Sequence, residues 1–433
     1  MKTPRHIFYG WFIVGITFLI MSVSYAIWYS FSIFYVPILN KFGWTRAETA
    51  LIFSIGSLVY GFGSAIAGTL LDRFGPRKTF TCAALIMTIG LVGCSRVSEI
   101  WQFFLFWSVF VAFGVCTAGY VPCVALVSNW FTKRRAMAVG IAQAGGRESF
   151  IMTPIIQSII LAVGWQNAYL LLGGVVALLI IIPSQFLKHS PNDIGLLPDG
   201  QCLTRESEKK EGQRLDKAII NVQWAATDWT LHKALKEYRF WALFGIMFSL
   251  GTGYGIVMTH QVAFMVDIGF TALFASFTLL IYGIASMLGR FCGFASDIFG
   301  REVAFTWGCV GIIAGFLLIS FTKNSSQAWI LYLYAVCFGF FSGFNSPTYA
   351  ASVADMFSGK HFGAILGFAN IGYGLGNSLG SWIAGYIFDI TRSYSLAFSL
   401  AILVLILSGV FIWISSPRKI RQVSGKVPKI TVA

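Results

Sequence analysis

Charge is scarce in this sequence: 11% of its 433 residues are Asp, Glu, Lys or Arg, against roughly 25% in an ordinary soluble domain. That shortage excludes a chain whose whole surface meets water. None of its eight cysteines stands in a CxxC pair, so neither a disulfide framework nor a metal site is indicated. No GxxxxGK[ST] run occurs, which removes the phosphate loop and with it ATP as an energy source. Neither a metal cluster nor an activated nucleophile stands out, so the chain is not read as an enzyme and no cofactor is expected. Acidic residues are fewer than basic ones, 17 against 31. On a soluble protein that imbalance would suggest nucleic acid, but the placement of the basic residues points elsewhere.

What the sequence has in quantity is apolar length. Stretches of about 20 residues or more, enough to cross a bilayer, recur at 8–39, 47–71, 78–96, 100–130, 135–162, 166–187, 239–267, 271–296, 302–321, 327–357, 362–388 and 393–415. They predict an all-α membrane protein of twelve transmembrane helices in two six-helix bundles. The first stretch far exceeds the apolar core of a cleaved signal and reads as a retained helix. Between the sixth and seventh lies the one long polar segment, with RESEKKEGQR inside it. The expected organisation is therefore an N-terminal bundle at 1–187, a linker at 188–238 and a C-terminal bundle with a short tail at 239–433. Trp229–Tyr238 reads as a short amphipathic helix at the interface.

If the spans alternate from an inner N-terminus, 24 of the 31 basic residues fall on that side and five on the other; Arg147 and Arg290 remain inside spans. This follows the positive-inside rule and predicts a multi-pass protein of the plasma membrane or bacterial inner membrane, both termini cytoplasmic. The lipid bilayer is the expected partner, with neither nucleic acid nor an obligate protein partner.

The halves share a signal. GTLLDRFGPRK (68–78) follows the second span and GFASDIFGRE (293–302) the eighth. Each sets glycines for close helix approach around an aspartate, with a basic residue to hold the turn at the surface: Gly68, Asp72, Arg73 and Gly75 in the first, Gly293, Asp297, Gly300 and Arg301 in the second. Two copies at equivalent places resemble the signature loop of the major facilitator superfamily, two bundles around a path with sites near the bilayer midplane. YGWFIVGITFLIMSVSYAIWYSFSIFYVPILNKFGW, NWFTKRRAMAVGIAQAGG and SPNDIGLLPDG resemble the monocarboxylate and oxalate/formate antiporter-like branch. That resemblance implies secondary transport of a small organic anion, moved with a proton or by exchange.

Arg290 stands seven residues, about 10 Å, from Asp297 and so inside the bilayer, where a cation costs a few kcal/mol and faces protein or a cavity. The resemblance implies that it grips a substrate carboxylate, although it stands three rather than four residues before Gly293. The alternative is an arginine reaching toward a signature-loop aspartate. Where animal relatives carry an aspartate and a lysine, this chain has Ser286 and Tyr29, neither of which carries charge at neutral pH. Where oxalate/formate relatives carry a second cation, GFANIGYGLGNS offers Asn370, Tyr373 and Asn377, which favours a monocarboxylate of the lactate or pyruvate type.

Arg147 and Glu148 stand about 18 Å into the fifth span, at positions where the resemblance implies small residues. They read either as a second substrate cation and a proton carrier or as members of a neutralising ion-pair network. His260 reads as a substrate or proton residue or as a satisfied packing residue. Tyr120 in AGYVPC reads as a cavity residue or an interhelical hydrogen-bond donor. An exporter of amphipathic drugs or another metabolite is the alternative within the class, favoured by Tyr25, Trp28, Tyr29 and Phe341. A transporter-like membrane receptor is the alternative outside it, and it would need an output domain larger than the linker or tail.

Overall fold

The computed structural model describes residues 8–131, 135–195, 220–357 and 362–423, and every regular element among them is helical. Helices follow from the solvent: in hydrocarbon the backbone must satisfy its own hydrogen bonds. Helical segments fall on each of the twelve expected spans. Nine helices among the described residues are long and apolar enough to cross a membrane by length and composition. Outside those nine fall the first part of Arg46–Cys94, the stretch from Arg135 to Val163, and Phe362–Thr391.

Several spans expected to be continuous are interrupted, and prolines account for two of the interruptions. The 100–130 span carries a π-helical stretch at Phe104–Val111, then stops at Thr117 and restarts at Tyr120 across Ala118 and Gly119. Pro122 lacks an N–H and would clash with the carbonyl four residues back, at Ala118; in the first turn after the break it costs little. The 135–162 span passes through a 3₁₀ stretch, Ser149–Met152, directly before Pro154. The 271–296 span ends as an α-helix at Phe291, with a 3₁₀ turn and the short helix Ala295–Phe299 beyond it.

The chain forms two compact units, one of Met1–Trp44 with Leu51–Leu203, the other of Thr45–Ala50 with Thr204–Ala433. In the first unit Tyr9–Phe42 packs on Arg135–Glu148, and Gly145 leaves room for the Phe18 backbone. Aromatic rings fill the interior: Phe34 stacks on Tyr169 at 3.9 Å, and Trp28, Phe31 and Phe53 surround Trp107. In the second unit Tyr238–Asp267 packs along Phe362–Thr391, and Ala272–Phe291 along Ala328–Met356. Glycines lie on both seams, with Gly255 against the Asn377 carbonyl and Gly343 against that of Ser286. This is how membrane helices gain dispersion contacts where burial from water supplies no drive between them.

Candidate functional site

In the second unit, Arg290 lies in the last turn of Ala272–Phe291 and is partly buried. A guanidinium carries the planar fork that bidentate carboxylate recognition requires. Ser286, one turn earlier, is fully buried. Beyond the helix, Asp297 and Arg301 form an ion pair at 2.7 Å, and Arg301 reaches Asp355 at 2.9 Å. Asn370 and Tyr373 lie on Phe362–Thr391, both partly buried, and the Tyr373 ring lies 6.2 Å from that of Tyr254. Asn377, one turn on, is buried.

His260 is fully buried, and both ring nitrogens are engaged. Nδ1 lies 3.1 Å from the Tyr394 hydroxyl, and Nε2 lies 2.9 Å from the Ser381 carbonyl. Tyr394 in turn accepts from Arg46 Nη1 at 2.6 Å, while Arg46 Nη2 pairs with Asp267 at 2.7 Å and the guanidinium stacks over Phe388 at 3.9 Å. Asp389 accepts the backbone N–H groups of Arg46 at 3.0 Å and Ala47 at 2.8 Å, so a carboxylate meets the positive end of the helix that starts there. In sequence Arg46 is one of the five basic residues that fall outside the spans on the far side. The signal that could have found it is the capping-box spacing Thr45-x-x-Glu48, which the structure uses, with the Thr45 N–H donating to Glu48 at 2.9 Å.

In the first unit, Tyr29 stacks on Phe150 at 4.2 Å and on Tyr25 at 5.9 Å. The Tyr25 and Tyr60 hydroxyls lie 2.7 Å apart, an interhelical pair that no sequence spacing announced. Tyr120 is the first residue of the helix that restarts after Gly119, and its side chain is partly buried. Tyr29 and the Tyr25–Tyr60 pair thus lie together, whereas Arg290, Tyr373 and His260 belong to the other unit. The backbone at Arg147 and Glu148 is helical, and their side chains lie outside the described residues. The first signature segment kinks at Gly75 (φ 75°, ψ 164°); Arg77 Nε donates to the Leu187 carbonyl at 2.9 Å, and Asp72 and Arg73 are exposed. Within SPNDIG, Asp193 accepts the Ser190 and His189 N–H groups at 3.0 and 2.9 Å, and these bonds, Ser190 foremost, hold its carboxyl below the usual range. Among the described residues no group of three or more His, Cys, Asp or Glu side chains could hold a metal ion.

Paired glycine-aspartate turns in a two-unit helical membrane protein define a transporter, not an enzyme. The chain belongs to the major facilitator superfamily: it matches the Major Facilitator Superfamily over residues 17–349 and 291–432. It is 26% identical to monocarboxylate transporter 13 of Rattus norvegicus over 396 residues, covering 91% of this chain and 86% of that one. With monocarboxylate transporter 12 of Xenopus laevis it shares 25% over 409 residues, 92% and 87% of the two chains. With monocarboxylate transporter 11 of Homo sapiens it shares 24% over 430 residues, 95% and 83%. A crystal structure of a bacterial homolog to the human lysosomal transporter Spinster shares the fold, with a TM-score of 0.65 at 15% identity over 96% of this chain and 98% of that one.

Proposed function

We propose that this chain is a secondary active transporter of a small monocarboxylate, moved by alternating access with a proton or by exchange for another anion. The observation that carries the reading is its likeness to monocarboxylate transporters over more than nine-tenths of its length. Arg290 supplies the carboxylate grip, because a planar guanidinium matches two carboxylate oxygens at once and an ammonium does not. Tyr29, Tyr120, Asn370 and Tyr373 provide hydroxyl and amide donors along the path, with Arg147 as a second cation and Glu148 or His260 as the proton carrier. The engagement of both His260 ring nitrogens favours Glu148 of these two. The protein sits in a plasma or bacterial inner membrane with its basic loops and both termini in the cytoplasm, and the 188–238 segment links the two bundles there.

The test is uptake of labelled lactate, pyruvate, oxalate and an uncharged sugar into proteoliposomes, with and without an imposed proton gradient. Monocarboxylate uptake should exceed the others and fall at least tenfold in Arg290→Lys while the protein remains monodisperse. Near-normal affinity in that variant removes Arg290 from the site. Uptake of the sugar alone removes the monocarboxylate reading altogether.

A further inference from the structure

Just before the Tyr238–Asp267 helix, the chain folds into a groove of about 400 Å³ lined by Asn221, Gln223, Trp224, Thr227, Trp229, Lys233, Lys236 and Glu237. A volume of that order suits a small ligand, and the transport reading makes no use of it. Its apolar wall is held by hydrogen bonds and ring contacts. Trp224 Nε1 donates to the Met356 carbonyl at 2.6 Å, Trp229 Nε1 donates to the Trp224 carbonyl at 3.1 Å, and the two rings lie 4.4 Å apart with Phe357 behind them. The start of the segment is pinned too, since the Ile220 and Asn221 N–H groups both donate to the Ile420 carbonyl. A wall built this firmly is present before any ligand arrives, which lowers the ordering cost of binding.

The rim is cationic and not fully used. Lys233 Nζ donates only to a backbone carbonyl, that of Asp228 at 3.0 Å, and Lys236 has no ion-pair partner among the described residues. Arg239 lies over the outer face of Trp224 at 4.9 Å, and its Nη1 is buried without a hydrogen-bond partner among the described residues. One lining carboxylate, Glu237, stands against these three cations. Beside the groove, Tyr238, Trp241, Ile220 and Val222 expose half or more of their surface. Exposed tyrosine and tryptophan at the start of a membrane-crossing helix mark the headgroup level.

We propose that this groove binds a phosphate-bearing anion, supplied by the headgroup of an anionic membrane lipid. The phosphate sits between Lys233 and Lys236, the tryptophan pair covers the glycerol, and the acyl chains leave over Tyr238 and Trp241. Lipid rather than free phosphate is favoured because the apolar side chains beside the cations would otherwise face water. Basic pockets next to membrane helices recognise lipid headgroups by this combination of charge and adjacent apolar surface.

The test uses the purified full-length protein in detergent, titrated separately with short-chain phosphatidylglycerol, short-chain phosphatidylcholine and glycerol 3-phosphate, with bound lipid counted by native mass spectrometry. Phosphatidylglycerol should bind more tightly than the other two. Lys233→Ala and Lys236→Ala should each weaken it about fivefold, as expected for roughly 1 kcal/mol per lysine at such a surface. Lys233→Gln and Lys236→Gln serve if the alanine variants misfold, and Lys323→Ala, in a different loop, should leave binding unchanged. Equal affinity for phosphatidylcholine, or no loss in the lysine variants, overturns the site. Equal affinity for glycerol 3-phosphate overturns the lipid as its ligand.

Discussion

The two glycine-aspartate segments read alike in sequence and are held in different ways. In the second, Arg301 stands four residues after Asp297 and gathers the turn, pairing with Asp297 at 2.7 Å and Asp355 at 2.9 Å while donating to Ser296 Oγ at 2.6 Å. In the first, the residue four after Asp72 is Pro76, which has no charge to offer. The neighbouring segment differs in step: Asp355-Met356-Phe357 in the second half corresponds in sequence to Asn129-Trp130-Phe131 in the first. The first turn is tied instead by Arg77 to the Leu187 carbonyl and by the Thr79 hydroxyl to the Gly75 carbonyl at 2.8 Å. What the copies share is backbone, a positive-φ glycine at Gly75 (φ 75°) and Gly300 (φ 105°). The repeated feature is thus a sharp turn between two helices, and among the described residues the charge network stands in one copy.

The sharpest way to break this comparison is Arg301→Ala. Both Arg301 and Asp355 are largely buried, with side-chain exposures of 11% and 14%, so removing the cation leaves a carboxylate unpaired, at a cost of about 3 kcal/mol. Thermal unfolding in detergent should show that loss, and Arg301→Ala/Asp355→Ala should recover much of it. Arg77→Ala, which breaks one part-buried hydrogen bond and leaves no charge unpaired, should cost less, about 1 kcal/mol. Equal losses in the two single variants would mean that the copies are held with equal strength.

Gly75→Ala and Gly300→Ala sharpen the shared half. With ψ of 164° and 150°, both glycines occupy a region that only glycine adopts readily, and a side chain there costs on the order of 1–3 kcal/mol. The two losses should agree to within about 1 kcal/mol, read by the same unfolding measurement. A neutral Gly75→Ala would show that the first turn bends for some other reason.

The same contrast explains what could be read from the sequence. The all-helical class and the existence of both turns were legible because hydrophobic length and a glycine at fixed distance from an aspartate are local properties. The breaks near Pro122 and Pro154 carried a local signal as well, since a proline removes a donor four residues from a named carbonyl. Partners were not local. Nothing around Arg46 indicates that it meets Asp267, 221 residues away, or that Asp389 caps its helix from 343 residues on. His260 was legible as a titratable side chain inside a span, but its two neighbours, Tyr394 and Ser381, lie 134 and 121 residues away. Of the candidate site, residue types suited to an anion could be chosen from sequence, whereas the Tyr25–Tyr60 hydroxyl pair needed the fold.

Pro76→Arg is the smallest expected effect and the finest probe of the comparison. It restores the four-residue spacing from Asp72, but both Asp72 and the candidate third member, Asn129, are exposed. A solvent-exposed pair at that spacing is worth about 0.3–0.5 kcal/mol. Against it stands the loss of a proline whose fixed φ suits the first helical position after Gly75. Pro76 is itself buried, so the arginine must also carry its charge along its stem to water; Pro76→Arg should therefore lower stability by about 1 kcal/mol, and adding Asn129→Asp should recover little of it, because water screens the new charges. If the double variant instead stabilises the protein by as much as Arg301→Ala destabilises it, the first segment can hold the same buried network. Its proline would then be the sole reason that the network is missing, and burial of the acid on the neighbouring helix would no longer separate the two copies.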